Sequence, residues 1–342
     1  MGRKFSLHIA VALTASVLAL AAGPSRAAEH VKIGVVRSMG GAPLYVAQDM
    51  GFYKEEGLDA QLVWFDAAQP VAVAAASGDI DFGSTGMTAA FLNLAAQGTL
   101  KIIGAGTWEH KGFQSIGFMV SNQAYAAGVH SLKDMKGHSV GLTQVGTPLH
   151  YNIALALEAN AVDLKTVRIV PLQSNPNVAS AIKGGQVDAA VQTSANIYPL
   201  VERGDAKLLG WASDFKQGQS EATFANTKFA NEHPETVKKF LAAFRKAEAT
   251  WDSGFVDKDG KRVADLPMGK KLMEIASKNL GASPEVLARG IPYYDPQSRV
   301  ALPDVQRAID WYYAQGMIKE KLDAASLVDK RFALFAQPAA TQ

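Results

Sequence analysis

The sequence predicts an α/β protein built as two lobes of similar design. Three observations carry that prediction. β-rich runs alternate with helical stretches as in βαβ units, one order of elements occurs twice about 105 residues apart, and a length of 342 residues usually means two domains.

The first copy begins with a β-rich run at 31–36 and continues into Gly41-Ala42-Pro43-Leu44-Tyr45. The second begins at 139–143 and continues into Gly146-Thr147-Pro148-Leu149-His150. Each copy then has a helical stretch and a further β-rich run, at 58–63 or 162–167. Each next passes through a second helix that glycine ends, at Gly78-Asp79-Ile80-Asp81 or Gly185-Gln186-Val187-Asp188, where Ile or Val starts a third strand.

Two β-rich stretches, 115–121 and 222–227, are expected to carry the chain out of the first lobe and back. The expected division is a discontinuous first lobe of 28–118 and 222–342, with 119–221 as the second lobe. After the return the pattern is helical. His233-Pro234-Glu235 opens a helix whose Val237, Phe240, Leu241 and Phe244 share one face, Ser283-Pro284-Glu285 opens another, and 304–315 forms a third that stops at Gly316. These helices are expected to pack on the first lobe.

At the start of the chain, Arg3 and Lys4 precede an apolar stretch at 9–22, followed by Gly23-Pro24 and Ser25-Arg26-Ala27. This reads as a signal peptide over 1–27, cleaved near Ala27. Its apolar core of about 14 residues is shorter than the roughly 20 that a spanning helix needs. The leader holds three of the 34 basic residues and none of the 32 acidic ones, so the mature chain is near −1. That balance excludes a nucleic-acid footprint. Cysteine is absent, which excludes disulfides, thiolate metal sites, thiol nucleophiles and a lipid-bearing cysteine. An exported chain without a lipid anchor is expected to be free in a periplasm, as a monomer.

Catalytic signatures are missing: there is no Gly-x-Ser-x-Gly, no His-Glu-x-x-His and no phosphate-binding lysine loop. Asp257-Lys258-Asp259-Gly260 places its glycine two positions too early for a calcium loop. No catalytic residue, metal or cofactor is expected.

In open α/β sheets the ligand lies beyond the carboxyl ends of the strands. Both Gly-x-Pro-Leu elements fall there. Pro43 and Pro148 suit the first helical position, and the unpaired amides of the first turn favour an anion by about 0.3 to 1 kcal/mol per helix start. Either element alone also reads as a simple turn and cap. Around them lie Ser38, Gln69, Ser84, Thr85 and Gly86 in the first lobe, and Thr143, Gln144, Gly146, Thr147, Asn175, Gln192, Thr193 and Asn196 in the second. Uncharged donors dominate this set, and such groups bind an anion without a fixed countercharge. Arg37 is the cation nearest a strand end, with a surface ion pair as its other reading. Trp108, Tyr151 and Tyr198 are candidates for an aromatic wall or for core, and His150 for an oxyanion donor or a helix cap.

Ala42-Pro43-Leu44-Tyr45-Val46-Ala47 with Gly51-Phe52-Tyr53, Gly78-Asp79-Ile80-Asp81-Phe82-Gly83, Leu132-Lys133-Asp134-Met135-Lys136-Gly137 and Gly146-Thr147 together give a resemblance over almost the whole mature chain. The chain resembles the aliphatic sulfonate, nitrate and taurine substrate-binding proteins of ABC importers, a group also called thiamine-pyrimidine-synthase-like. The resemblance implies a type II periplasmic-binding-protein fold, with two lobes on a two-strand hinge closing on a solute that the permease and ATPase subunits then receive. It also implies oxyanion contacts at Ser84, Thr85, Gly146 and Thr147. Sulfonate-binding relatives often carry an aromatic-acid-Pro sequence where this chain has Gln192-Thr193-Ser194-Ala195-Asn196. That departure leaves an aromatic acid or pyrimidine-type solute open as alternatives. So does a ligand-presenting receptor for a sensor. The group's pyrimidine-forming enzyme uses a cysteine-rich motif that is absent here.

Overall fold

The computed structural model describes residues 27–337 apart from 260 and 264, so the predicted leader, 1–27, lies outside the described residues except for Ala27. Two five-stranded sheets form the centres of two lobes. In the first, the order is Leu58–Phe65, Glu29–Val36, Phe82–Gly86, Glu221–Asn226, Leu100–Ala105. The second runs Arg168–Pro171, Ser139–Leu142, Ala189–Thr193, Ile116–Ser121, Ala206–Trp211.

The two orders are the same. Each sheet places its first strand between its second and third, all parallel, and inserts one antiparallel strand next to the third. The echo in the sequence is therefore an echo in topology. Parallel neighbours need helical crossovers, which the helices Ala42–Asp49, Ala68–Ser77, Pro148–Ala159 and Asn175–Lys183 supply.

Both crossings differ from the expectation, since 222–227 falls on Glu221–Asn226, a strand paired on both edges within the first sheet. The stretch 115–121 does not bridge the lobes, because Ile116–Ser121 is an entirely buried strand paired on both edges within the second sheet. The chain instead passes between sheets through Thr107–Glu109 and returns through Gly218–Gln219, two short antiparallel strands. Tyr293–Tyr294 pairs with the other edge of Thr107–Glu109, so a C-terminal segment braces the crossing.

The core of the first lobe is aromatic. The helix Pro234–Phe255 lays Val237, Phe240, Leu241 and Phe244 against the first sheet, as their spacing predicts. Phe240 stacks on Phe82 with ring centroids 4.0 Å apart. Helices Pro267–Leu280 and Pro284–Arg289 extend this layer, while Leu302–Ala314 covers the opposite side of the sheet. The last of these ends before Gly316, whose φ of +67° suits glycine.

Candidate functional site

The carboxyl ends of the strands of both lobes meet at one cleft, which encloses a cavity of about 120 Å³. From the first lobe it is bordered by Ser38, Met39 and Gly40 after the strand Glu29–Val36, by Asp66, Ala67 and Ala68 after Leu58–Phe65, and by Thr85 and Gly86. The second lobe contributes Thr143, Gln144, Thr147, Pro148, Leu149, Asn175, Gln192, Thr193 and Ser194. Thr107 of the crossing borders it as well, with Ser115, Ile116, Ser220 and Glu221 from the segments next to the crossing.

Three helices open into this cavity without a capping side chain: Ala68–Ser77 at Ala67, Pro148–Ala159 at Thr147 and Ser194–Glu202 at Thr193. Thr147 turns its hydroxyl to the Gln144 carbonyl at 2.8 Å instead of capping its own helix. First-turn amides left in this way favour an oxygen-rich anionic group. In the first copy the Pro43 helix start is displaced from the cavity by a 3-10 turn, Met39–Gly41, that runs into it. Ser38 is the residue at the cleft-side start.

The lobes touch on both sides of the cavity. The Ala89 amide donates to the Gly146 carbonyl at 2.8 Å, and Gln69 Nε2 donates to the Val145 carbonyl at 3.3 Å. On the other side Ser194 Oγ donates to the Gly290 carbonyl at 3.2 Å, and Arg289 pairs with Glu202. The arrangement is closed.

Of the residues singled out from sequence, Ser38, Thr85, Gly86, Thr147, Gln192 and Thr193 border the cavity, and Thr143, Gln144 and Asn175 join them. The others are placed elsewhere. Ser84 is buried behind Thr85, its hydroxyl 3.0 Å from that of Thr223. Gln69 and Gly146 hold the lobes together as described. Asn196 stands one turn back, donating to Thr193 Oγ1 at 3.1 Å.

Trp108 faces a separate cavity behind the crossing, because Thr107 takes the cleft side and neighbouring residues of a strand point to opposite faces. His150 and Tyr151 lie on the helix Pro148–Ala159 but pack across the lobe boundary on Trp311, with ring centroids 5.2 Å away in both cases. Burial lowers the His150 pKa to about 4, so its ring is neutral at pH 7 and accepts from the Gly146 amide at 3.4 Å. Tyr198 packs on Trp211 and donates to Gln114 Oε1 at 2.6 Å. Arg37 forms the surface ion pair, 3.9 Å from Asp66.

Glu221 went unnoticed in the sequence. It starts the return strand and borders the cavity, its Oε2 has no hydrogen-bond partner, and burial raises its pKa to about 7 against a partial offset from Thr107. Thr107, Ser115 and Ser220 were missed with it. All four lie where the crossing meets the sheets, and locating the crossing strands is the signal that finds them. Among the described residues, no Lys or Arg side chain borders the cavity. The charged side chains there are Glu221 and Asp66, the latter on the solvent side at 95% exposure.

Comparison with known proteins accords with this geometry. A Bacillus subtilis (strain 168) protein named for binding aliphatic sulfonates is 24% identical over 317 residues, 91% of this chain and 89% of that one. The taurine-binding periplasmic protein of Escherichia coli (strain K12) is 25% identical over 284 residues, 80% of this chain and 82% of that one. Among solved structures, the alkanesulfonate-binding protein SsuA from Xanthomonas axonopodis pv. citri bound to MOPS superposes with a TM-score of 0.71. That match has 19% identity and spans 88% of this chain and 98% of that one. The fold is thus the two-lobed periplasmic-binding-protein fold that the sequence predicts. A family model described as NMT1/THI5 like matches residues 39–251, more than half of the chain. The chain belongs to the NMT1/THI5 like family.

Proposed function

We propose that this protein, exported to the periplasm as a monomer, captures a small oxyanion-bearing solute between its lobes and delivers it to the permease of an ABC importer. The relatives named for sulfonates and taurine support that solute class. The observation that carries the reading is the lining of the cleft. Uncapped helix starts and hydroxyl or amide side chains from both lobes converge on one cavity beyond the strand ends.

The chemistry follows from those groups. A sulfonate-type oxyanion accepts from several neutral donors at once, and each hydrogen bond to its charge contributes about 1.5 to 3 kcal/mol net. Donors on opposite lobes are satisfied together only when the lobes close. The solute thereby shifts the protein toward the closed arrangement, in proportion to its preference for that state. Micromolar binding requires about −8 kcal/mol, within reach of a few such bonds. The protein acts as a binder and not as a catalyst on this reading, since binding and release need no covalent step.

The test is a thermal-shift screen of the mature protein against alkanesulfonates, taurine, nitrate, aromatic acids and pyrimidines, followed by calorimetry. Sulfonate-type compounds should raise the melting temperature. Stabilisation by neutral compounds alone would overturn the oxyanion reading, and light scattering checks the monomer.

A further inference from the structure

We propose that the solute carries, besides its oxyanion, an amine or other N–H donor received by Glu221, which makes Glu221 the residue that selects amino-bearing solutes. The proposal rests on the solute-binding reading above and narrows its ligand class.

Three features of the cavity lead to it. The first is an unmatched pair of groups. Glu221 Oε2 is shut off from solvent with no hydrogen-bond partner among the described residues, and Gln192 Nε2, on a side chain 1% exposed, also has none. Both side chains border the same cavity, Glu221 from the strand that follows the crossing and Gln192 from the second lobe. Buried polar groups are nearly always paired, and a lone carboxylate oxygen is costly. A solute that offers an acceptor to Gln192 and a donor to Glu221 completes both, once the carboxylate turns toward it.

The second feature is the room kept for the carboxylate. A Cβ built on Gly40 would stand 2.6 and 2.9 Å from Glu221 Oε1 and Oε2, and one built on Gly106 would stand 2.7 Å from Glu221 Cβ. Any larger residue at either position would displace the acid from the cavity wall.

The third is charge. Among the described residues, no Lys or Arg borders the cavity. A purely anionic solute would meet an ionised carboxylate with no basic residue to offset it, at a site where burial strengthens the repulsion. An amino group on the solute turns that repulsion into a charge-assisted hydrogen bond.

The experiment is calorimetric titration with two matched pairs that differ by the amine: taurine with ethanesulfonate, and β-alanine with propionate. The wild-type protein should bind the amino member of a pair at least about tenfold more tightly, and Glu221→Gln should bring the two within about twofold. Gly40→Ala, which leaves the carboxylate in the chain but pushes it aside, should shrink the preference too, and circular dichroism checks that both variants are folded. Equal affinity within each pair for the wild type, or an undiminished preference in both variants, overturns the role of Glu221 while leaving the oxyanion reading in place. If no member of either pair binds, both readings fall together.

Discussion

Replacing Glu109 by Gln should stabilise the protein, and by more as the pH rises. Glu109 belongs to the crossing strand Thr107–Glu109 and is 2% exposed. Burial raises its pKa from 4.5 to about 8, although the Ile116 amide, the Ser115 hydroxyl and the charge of Lys216 offset part of the effect. Between these two values the unfolded chain has lost the proton that the folded protein keeps. The folded state is therefore favoured fully below pH 4.5 and loses that advantage as the pH climbs through about 8. At about 1.4 kcal/mol per pH unit of separation the ceiling is roughly 4 to 5 kcal/mol, and local relaxation around the charge brings the expected loss to about 2 to 3 kcal/mol.

Glu109→Gln keeps the shape of the side chain and removes its titration. Urea unfolding followed by tryptophan fluorescence at pH 5, 6, 7 and 8 should show the variant gaining on the wild type by about 2 kcal/mol across that range. His150 titrates in the opposite sense, because burial lowers its pKa from 6.5 to about 4 and makes stability rise with pH between those values. It is present in both proteins and cancels in the comparison. Parallel stability curves for the two proteins would refute the assignment of a buried, neutral carboxyl at the crossing.

Further perturbations address the closed arrangement, the core and the oxyanion contacts. A Cβ on Gly86 would lie 2.7 and 2.9 Å from Pro148 Cγ and Cδ across the cleft, so Gly86→Ala should weaken solute binding about tenfold or more by calorimetry. Its melting temperature without solute should stay within a few degrees of the wild type. Phe240→Ala removes the ring stacked on Phe82 and should cost about 3 to 5 kcal/mol in denaturant unfolding. Thr85→Ala and Thr147→Ala should each weaken binding by about 1 kcal/mol or more, and unchanged affinity would leave both residues a structural role alone.

The fold was legible where local pattern and tertiary role agree. Gly78 and Gly185 end or follow helices with φ of +85° and +67°, and the strands after them are the third of each sheet, so the repeated order of elements became a repeated sheet order. The face shared by Val237, Phe240, Leu241 and Phe244 survived for the same reason, since helical spacing decides which side is buried. The crossings were less legible. Ile116–Ser121 is β-rich because it is an interior strand, and that composition gives no sign of which sheet it joins. The true crossing pairs Thr107–Glu109 with Gly218–Gln219, runs of three and two residues that are too short to show alternation. Its bracing by Tyr293–Tyr294 depends on residues far away in sequence.

The same limit explains the site. The rule that ligands lie beyond strand ends led to Ser38, Thr85, Thr147 and Gln192, because each follows or ends a strand visible from its own composition. It had no hold on Glu221 or Thr107, whose place in the cavity depends on the crossing. It also proposed Trp108, Tyr151 and His150 by type without the means to orient them. Once Thr107 faces the cleft, Trp108 must face away, and once the lobes close, His150 and Tyr151 meet Trp311. The neutral donors that fit an oxyanion could thus be read from the strands, whereas the acidic group that restricts which oxyanion fits stands next to the crossing. Selectivity in this cleft is therefore set where the lobes join, the part of the chain whose local sequence says least about its position.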